Sequence, residues 1–179
     1  MKYLQYDDRD DMEPCFNMID SYLETPPKRI LDIGCGGAYH SQWFQEKYNC
    51  ELWLLEGDSS TTKNRNRKGS WGKTEDFEFY ETFSDLEEEW LSRGIKYNLV
   101  DANNINIPKN IKFDLVTSYL SCGFHYPAET YKDLIKKHTD EDSVCIMDFR
   151  KKTLNKNNIN TKAILEETNK RVKLHFNFL

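Results

Sequence analysis

The sequence predicts an α/β fold: a doubly wound, mostly parallel sheet with helices on both faces. Short apolar runs alternate with segments of helical periodicity along most of the 179 residues. The first run, Arg29-Ile30-Leu31, ends in an acid and turns through glycines into a helix, which is the pattern of a nucleoside-binding βα turn. Two later runs also close on acids, Glu56 and Asp101, and ligands bind beyond the carboxyl ends of strands in such sheets.

The individual elements follow from apolar spacing and from turn residues. The predicted helices cover residues 12–23 before Pro26-Pro27, the segment after Gly37, 84–91 with Ser84 as N-cap and Gly94 beyond its end, the segment from Pro127, and about 161–169. The predicted strands cover 29–31, 52–56, 97–101, 113–118, 144–149 and 172–178. Residues 57–76 are predicted to form a long surface loop.

Composition narrows the function classes. The length predicts one domain over 1–179, and a net charge of −5 argues against a protein that coats a nucleic-acid backbone. No run is long enough to span a bilayer, and the acidic N-terminus lacks an apolar signal core. Five scattered cysteines without a Cys-x-x-Cys pair favour reduced thiols in a cytoplasmic protein. No cluster of His, Asp or Glu has metal-ligand spacing, so no metal is expected.

The glycine turn, Gly34-Cys35-Gly36-Gly37-Ala38, differs from the dinucleotide-binding version. That version needs a third glycine where this chain has Tyr39, and it has no anion beside the phosphates. Here Asp32 lies two residues before the first glycine. An acid at this position suits a cationic ligand that carries an ammonium group and a sulfonium, such as S-adenosylmethionine.

These residues, with the acids that end the later strands, resemble the class I S-adenosylmethionine-dependent methyltransferases over about residues 28–150. The resemblance implies that Asp32 approaches the methionine amino group, directly or through water. It also implies that a side chain at Gly34 or Gly36 would occupy the cofactor's space. Ala38 stands at the third glycine position of the family.

The resemblance assigns three further contacts. Glu56 or Asp58 would bind the ribose hydroxyls, with Glu56 favoured and Asp58 interpreted as a helix cap or a solvated acid. Asp101 would accept from the adenine amino group while the Ala102 N–H donates to the ring. Ser118 ends the strand-4 segment that faces the reaction centre. An ordinary strand end or turn is the alternative for Asp32 and for Asp101.

The segment Cys122-Gly123-Phe124-His125-Tyr126-Pro127 loosely resembles segments of small-molecule O-methyltransferases, including sugar O-methyltransferases. His125 is the candidate general base, because an imidazole titrates near neutrality and a hydroxyl acceptor must lose a proton. A packed, hydrogen-bonded structural histidine is the alternative. His40 is a second candidate to face the acceptor, whereas His138 and His175 are interpreted as structural.

The predicted function is S-adenosylmethionine-dependent methyl transfer to a small-molecule acceptor, at a hydroxyl oxygen. One alternative is an RNA or DNA acceptor, suggested by the basic loop 63–73 and by Arg150-Lys151-Lys152. Another is a cofactor-binding subunit without catalysis. The family fold ends in two antiparallel strands and only one is visible here, so either the sheet lacks one strand or a partner chain covers it. The sequence leaves the acceptor and the oligomeric state open.

Overall fold

The computed structural model of the protein describes residues 9–60, 79 and 81–179, with side chains from Met12. The basic loop 63–73 lies outside the described residues. The helices are α1 Arg9–Tyr22, α2 Tyr39–Tyr48, α3 Phe83–Ser92 and α4 Lys132–His138, with 3₁₀ helices at Ala128–Tyr131 and Lys151–Lys156. The strands are β1 Arg29–Ile33, β2 Glu51–Glu56, β3 Tyr97–Asp101, β4 Leu115–Ser118, β5 Val144–Arg150, β6 Ile159–Glu167 and β7 Arg171–Phe178.

Seven strands form one sheet in the order β3-β2-β1-β4-β5-β7-β6. Strands β1 to β5 are parallel, and β7 pairs antiparallel with both β5 and β6. The chain order reverses at β1, which has β2 on one side and β4 on the other. Doubly wound folds bind ligands in a crevice beyond the carboxyl ends of the strands at such a reversal, so a ligand site is expected there.

Apolar layers cover both faces of the sheet, because alternate residues of each strand point to opposite sides. On one face Leu31 and Ile33 of β1 pack in the same cluster as Ile135 of α4. On the other face Ile30 packs in a cluster that includes Phe16 of α1. Phe44 of α2 and Trp90 of α3 belong to this second cluster. The predicted fold class, a mostly parallel sheet with helices on both faces, is confirmed.

The C-terminal region corrects the sequence analysis. Residues 159–167 form strand β6, not a helix near 161–169, so both antiparallel strands are present and the sheet is not one strand short. The run Lys162-Ala163-Ile164-Leu165-Glu166 contains good helix formers, but pairing with β7 overrides that weak local preference. Two register irregularities along β6 also disturb the alternation that marks a strand.

The start of α3 differs by two residues from the prediction. Thr82, not Ser84, is the N-cap: its hydroxyl accepts a hydrogen bond from the Asp85 N–H at 3.2 Å. Thr82 and Ser84 are both good capping residues. The sequence pattern alone does not separate two candidates that lie two residues apart, on either side of Phe83.

Candidate active site

Gly34 and Gly36, the two glycines of the turn after β1 that are predicted to lie beside the cofactor, are required for different structural reasons. Both have positive φ, +68° at Gly34 and +48° at Gly36, which glycine adopts without strain. A Cβ atom at Gly34 would lie 1.9 Å from Oγ of Ser121, so Gly34 makes room for the segment after β4. A Cβ atom at Gly36 would meet no atom of the described residues within 4 Å. Among the described residues Gly36 therefore borders open space, and the contact of Gly34 with a cofactor stays a prediction.

Helix α3 and the residue after it donate hydrogen bonds to two backbone carbonyls of this turn. The Trp90 indole N–H donates to the Gly36 carbonyl at 3.1 Å, and the Arg93 guanidinium donates to the Gly37 carbonyl. The guanidinium also stacks over the Tyr39 ring, with 4.1 Å between its carbon and the ring centroid. Sequence analysis missed Trp90 and Arg93, because their spacing identifies a helix but not what its end contacts.

Asp32 lies beneath the turn and is fully buried. Its carboxylate accepts a hydrogen bond from the Ser41 hydroxyl at 2.6 Å and a longer one from Thr117 Oγ1 at 3.4 Å. These contacts tie β1 to the first turn of α2 and to β4. Whether Asp32 also contacts a cofactor amino group stays a prediction.

His40 does not face the acceptor side of the crevice. The side chain is buried, with Nε2 3.2 Å from Thr117 Oγ1 and 3.5 Å from the Asp32 carboxylate. Burial lowers the pKa of His40 below its usual value, while Asp32 opposes this shift. His40, the second candidate to face the acceptor, therefore belongs to the packing around Asp32 and Thr117.

Glu56 ends β2 beside the turn, as its assignment to the ribose requires. The carboxylate accepts from the Gly36 N–H at 3.1 Å and from the Gly57 N–H at 2.9 Å. Asp58 instead accepts from the N–H and the hydroxyl of Ser60, at 2.8 and 2.7 Å, and so caps a local turn. Of the two acids, only Glu56 touches the glycine turn through these contacts.

Asp101 and Ala102 lie at the end of β3, next to Glu56 in the sheet register. The Ala102 N–H donates to the Glu56 carbonyl at 2.8 Å, so it is engaged between strands and not presented to an adenine ring. Asp101 accepts from the Asn103 N–H at 2.7 Å. The adenine contact of Asp101 stays a prediction, and the part assigned to the Ala102 N–H has no support in this arrangement.

Ser118 fixes the direction in which the chain leaves β4. It is buried, its hydroxyl donates to the Ile33 carbonyl at 2.8 Å, and it accepts from the Cys122 N–H at 2.8 Å. The chain then folds tightly: the N–H groups of Phe124 and His125 both donate to the Ser121 carbonyl. Ser118 is thus a support below the site, and its contact with a cofactor stays a prediction.

His125 lies in this tight segment at the carboxyl edge and is partly buried. Its ring packs edge-on against Phe124 at 5.1 Å, and within the described part of the chain its imidazole has no hydrogen-bond partner. Burial, and then the nearby positive charge of Arg150, lower the pKa of His125 below its usual value. A neutral imidazole at neutral pH is able to take up a proton.

A buried group of charges, which sequence analysis missed, lies behind the segment after β4. Lys173 Nζ of β7 is 3.0 Å from an Asp148 oxygen of β5, and both side chains are at most 2% exposed. Burial lowers the pKa of Lys173, but Asp148 and Cys15 raise it, and the pKa is raised overall. The Tyr119 ring lies over both Lys173 and Arg171. The sequence does not show this group, because Asp148 and Lys173 are brought together only by the register of β5 and β7.

Among the residues that the structure describes, no group of three or more His, Cys, Asp or Glu side chains is arranged to hold a metal ion. None of the described helices combines the length and the apolar character of a membrane span.

No sequence family and no curated protein matches the chain. Solved structures do match it. PH0226 protein from Pyrococcus horikoshii OT3 aligns with 13% identity and a TM-score of 0.67, covering 99% of this chain and 97% of that one. A methyltransferase from Pyrococcus furiosus aligns with 14% identity and a TM-score of 0.58, covering 93% and 83%. The plantazolicin methyltransferase BpumL, solved with a triazolic desmethylPZN analog and SAH, aligns with 17% identity and a TM-score of 0.50, covering 79% of this chain and 50% of that one. The chain has the class I methyltransferase fold.

Proposed function

We propose that the protein is an S-adenosylmethionine-dependent methyltransferase that methylates a hydroxyl oxygen of a small molecule. The observation that carries this proposal is the open space at Gly36 with the Glu56 carboxylate at its border, at the switch point of a methyltransferase fold. Fold alone does not assign activity, so the proposal depends on these residues.

The residues present fit the cofactor. Gly36 leaves room for a ligand to approach the backbone, and Glu56 and Asp101 end neighbouring strands at the same edge. The Glu56 carboxylate borders this space, and a carboxylate accepts hydrogen bonds from hydroxyl groups such as those of a ribose. Asp32 acts from beneath, by fixing the strand and helix that carry the turn.

When bound, S-adenosylmethionine supplies an activated methyl group on a good leaving group. The chain then has two tasks: to align the acceptor oxygen for in-line attack and to remove its proton. His125 would perform the second task, because its pKa is lowered below the ordinary value and its imidazole is therefore neutral at neutral pH. An imidazole nitrogen of His125 would take up the proton of the acceptor hydroxyl.

The alternatives have weaker support. In the basic cluster 150–152, Lys151 pairs with Glu167, so the three charges are not all available to a nucleic-acid backbone. The idea of a non-catalytic subunit came from a missing strand, and strands β6 and β7 remove that reason.

Calorimetry with S-adenosylhomocysteine (SAH) tests the cofactor assignment. We expect SAH to bind the wild type and the nicotinamide dinucleotide NAD not to bind. Glu56→Gln should weaken SAH binding by about 10-fold or more, since two hydrogen bonds to a charged acceptor are weakened. Asp58→Asn is the matched control and should leave the affinity unchanged. Equal loss in both variants, or binding of NAD in place of SAH, would contradict the assignment.

A further inference from the structure

Arg150, the last residue of β5, carries a positive charge that no acid in the described part of the chain balances. Its guanidinium carbon lies 4.7 Å from the centroid of the Phe124 ring. Its Nε atom is buried and has no hydrogen-bond partner among the residues that the structure describes. A buried donor without an acceptor costs free energy, so such groups are uncommon unless they serve a ligand.

The strand pairing makes this charge more unusual. Arg150 is paired in register with Arg171 of β7, and like charges directly opposite each other destabilise a sheet. Arg171 is balanced, with Glu166 at 2.5 Å and Asp148 at 3.6 Å. Lys151, the next residue along the chain, is paired with Glu167. The positive charge left over at this edge of the sheet therefore belongs to Arg150.

The position of Arg150 connects it with the proposed base. The Phe124 ring contacts the Arg150 guanidinium and also packs against the His125 ring. Both groups thus flank one aromatic ring in the segment after β4, and one small molecule is able to reach them together. Stacking on an aromatic ring fixes the plane of a guanidinium and leaves its edge free to bind in two places.

We propose that Arg150 binds an oxyanion group of the methyl acceptor, a carboxylate or a phosphate, and that the acceptor is therefore a small hydroxylated acid. The planar fork of an arginine matches both oxyanions through two parallel hydrogen bonds. Binding there orients the acceptor so that its hydroxyl reaches His125. This proposal rests on the proposed function, because the edge is an acceptor site only if the adenosyl donor lies at Gly36.

The test compares matched charged and neutral probes on the complex of the protein with SAH. The probes are acetate with acetamide, benzoate with benzamide, 4-hydroxybenzoate with 4-hydroxybenzamide, and phenyl phosphate with phenol. We expect at least one oxyanion to bind about 10-fold more tightly than its neutral partner, corresponding to about 1.4 kcal/mol. The carboxylate and phosphate pairs distinguish the two kinds of oxyanion.

Three variants assign the preference to a residue. Arg150→Gln should abolish the preference and leave SAH affinity unchanged, and Arg150→Lys should retain only part of it because an ammonium lacks the fork. Lys152→Gln, which removes a charge from the exposed neighbouring helix, should retain all of it. If Arg150→Gln does not fold, the loss in Arg150→Lys decides.

Two failures have different meanings. If SAH binds the wild type but no oxyanion is preferred, or if the preference survives in both Arg150 variants, this proposal is overturned and the proposed function stands. If SAH does not bind the wild type, the proposed function is overturned and this proposal with it.

Discussion

The two sides of the crevice at the carboxyl edge are built differently. On the side of the glycine turn, Trp90 and Arg93 engage the backbone carbonyls, and Ser41 engages the buried Asp32. On the side after β4 and β5, the polar heads of His125 and Arg150 have no hydrogen-bond partner among the described residues. The first side has a backbone fixed before any ligand binds, whereas the second keeps its polar groups available. This is the arrangement expected if a common donor binds on the first side and a specific acceptor on the second.

The largest expected effect is on turnover, on the acceptor side. His125→Ala should lower the rate of methyl transfer by about 10²- to 10⁴-fold, the usual contribution of a general base. SAH affinity should change far less than turnover, because the proposal gives His125 a contact with the acceptor and not with the cofactor. Turnover is measured as labelled methyl transfer to 4-hydroxybenzoate, the hydroxylated acid among the probes above.

The control for this variant is His175→Gln. His175 Nδ1 is 2.8 Å from the Tyr22 hydroxyl, where α1 meets β7, and it should be dispensable for chemistry. An unchanged rate in His125→Ala would leave this residue with a structural role only and would remove the contrast between the two sides.

The next effect is on stability, on the donor side. Asp32→Ala removes the acceptor of the Ser41 hydroxyl and leaves His40 and Thr117 without their buried partner. We expect the free energy of unfolding to fall by about 3 kcal/mol, as when one member of a buried polar pair is removed. Urea denaturation measures this change. SAH affinity should fall as well, because the turn loses its anchor.

Asp58→Ala is the matched control for Asp32→Ala. Asp58 caps the exposed local turn at Ser60, and the loss of such a cap should cost about 1 kcal/mol. If the two alanine variants were equally stable, Asp32 would not be the anchor of the turn.

The sequence predicts the features that depend on local signals, but not the contacts between residues that are distant along the chain. The turn after β1 was found because strand ends, glycines and acids are local signals with fixed spacing. The clamp by Trp90 and Arg93 was not found, because nothing local specifies which loop the end of a helix contacts. The same holds for the Asp148–Lys173 pair, whose partners are distant in sequence and meet only through the register of β5 and β7.

Strand β6 shows a different limit. Its residues from Lys162 to Glu166 favour a helix when they are considered alone, and its alternation is broken by irregular pairing with β7. The antiparallel pairing that overrides these preferences is a tertiary effect. The sequence favours Glu56 over Asp58 for the ribose because Glu56 ends a predicted strand, and strand ends are easier to predict than side-chain contacts. The contacts of the two acids support this preference.

A smaller effect is expected at Ala38, which stands where the family has a third glycine. Its φ of 55° is left-handed, a conformation that costs a residue with a Cβ atom about 1 kcal/mol or more. Ala38→Gly should therefore raise the free energy of unfolding by about 0.5 to 1 kcal/mol, after allowance for the more flexible unfolded chain. Ala163→Gly in strand β6 is the control and should lower it by a similar amount. A destabilised Ala38→Gly would mean that the methyl group packs favourably enough to offset the strain.

The smallest expected effect tests how the two polar groups of the acceptor side act on each other. Burial is the main cause of the lowered pKa of His125, and the charge of Arg150 is the second. In the wild type the imidazole should therefore take up its proton only below pH 6.5, the ordinary value, and lose its ability to act as a base as the pH falls through its pKa. Arg150→Gln removes the second cause, so the pKa should rise while staying below the ordinary value. Arg150→Lys keeps the charge and should not raise it. NMR titration of the His125 ring measures all three proteins without an acceptor, and an identical pKa in wild type and Arg150→Gln would show that the two groups do not interact.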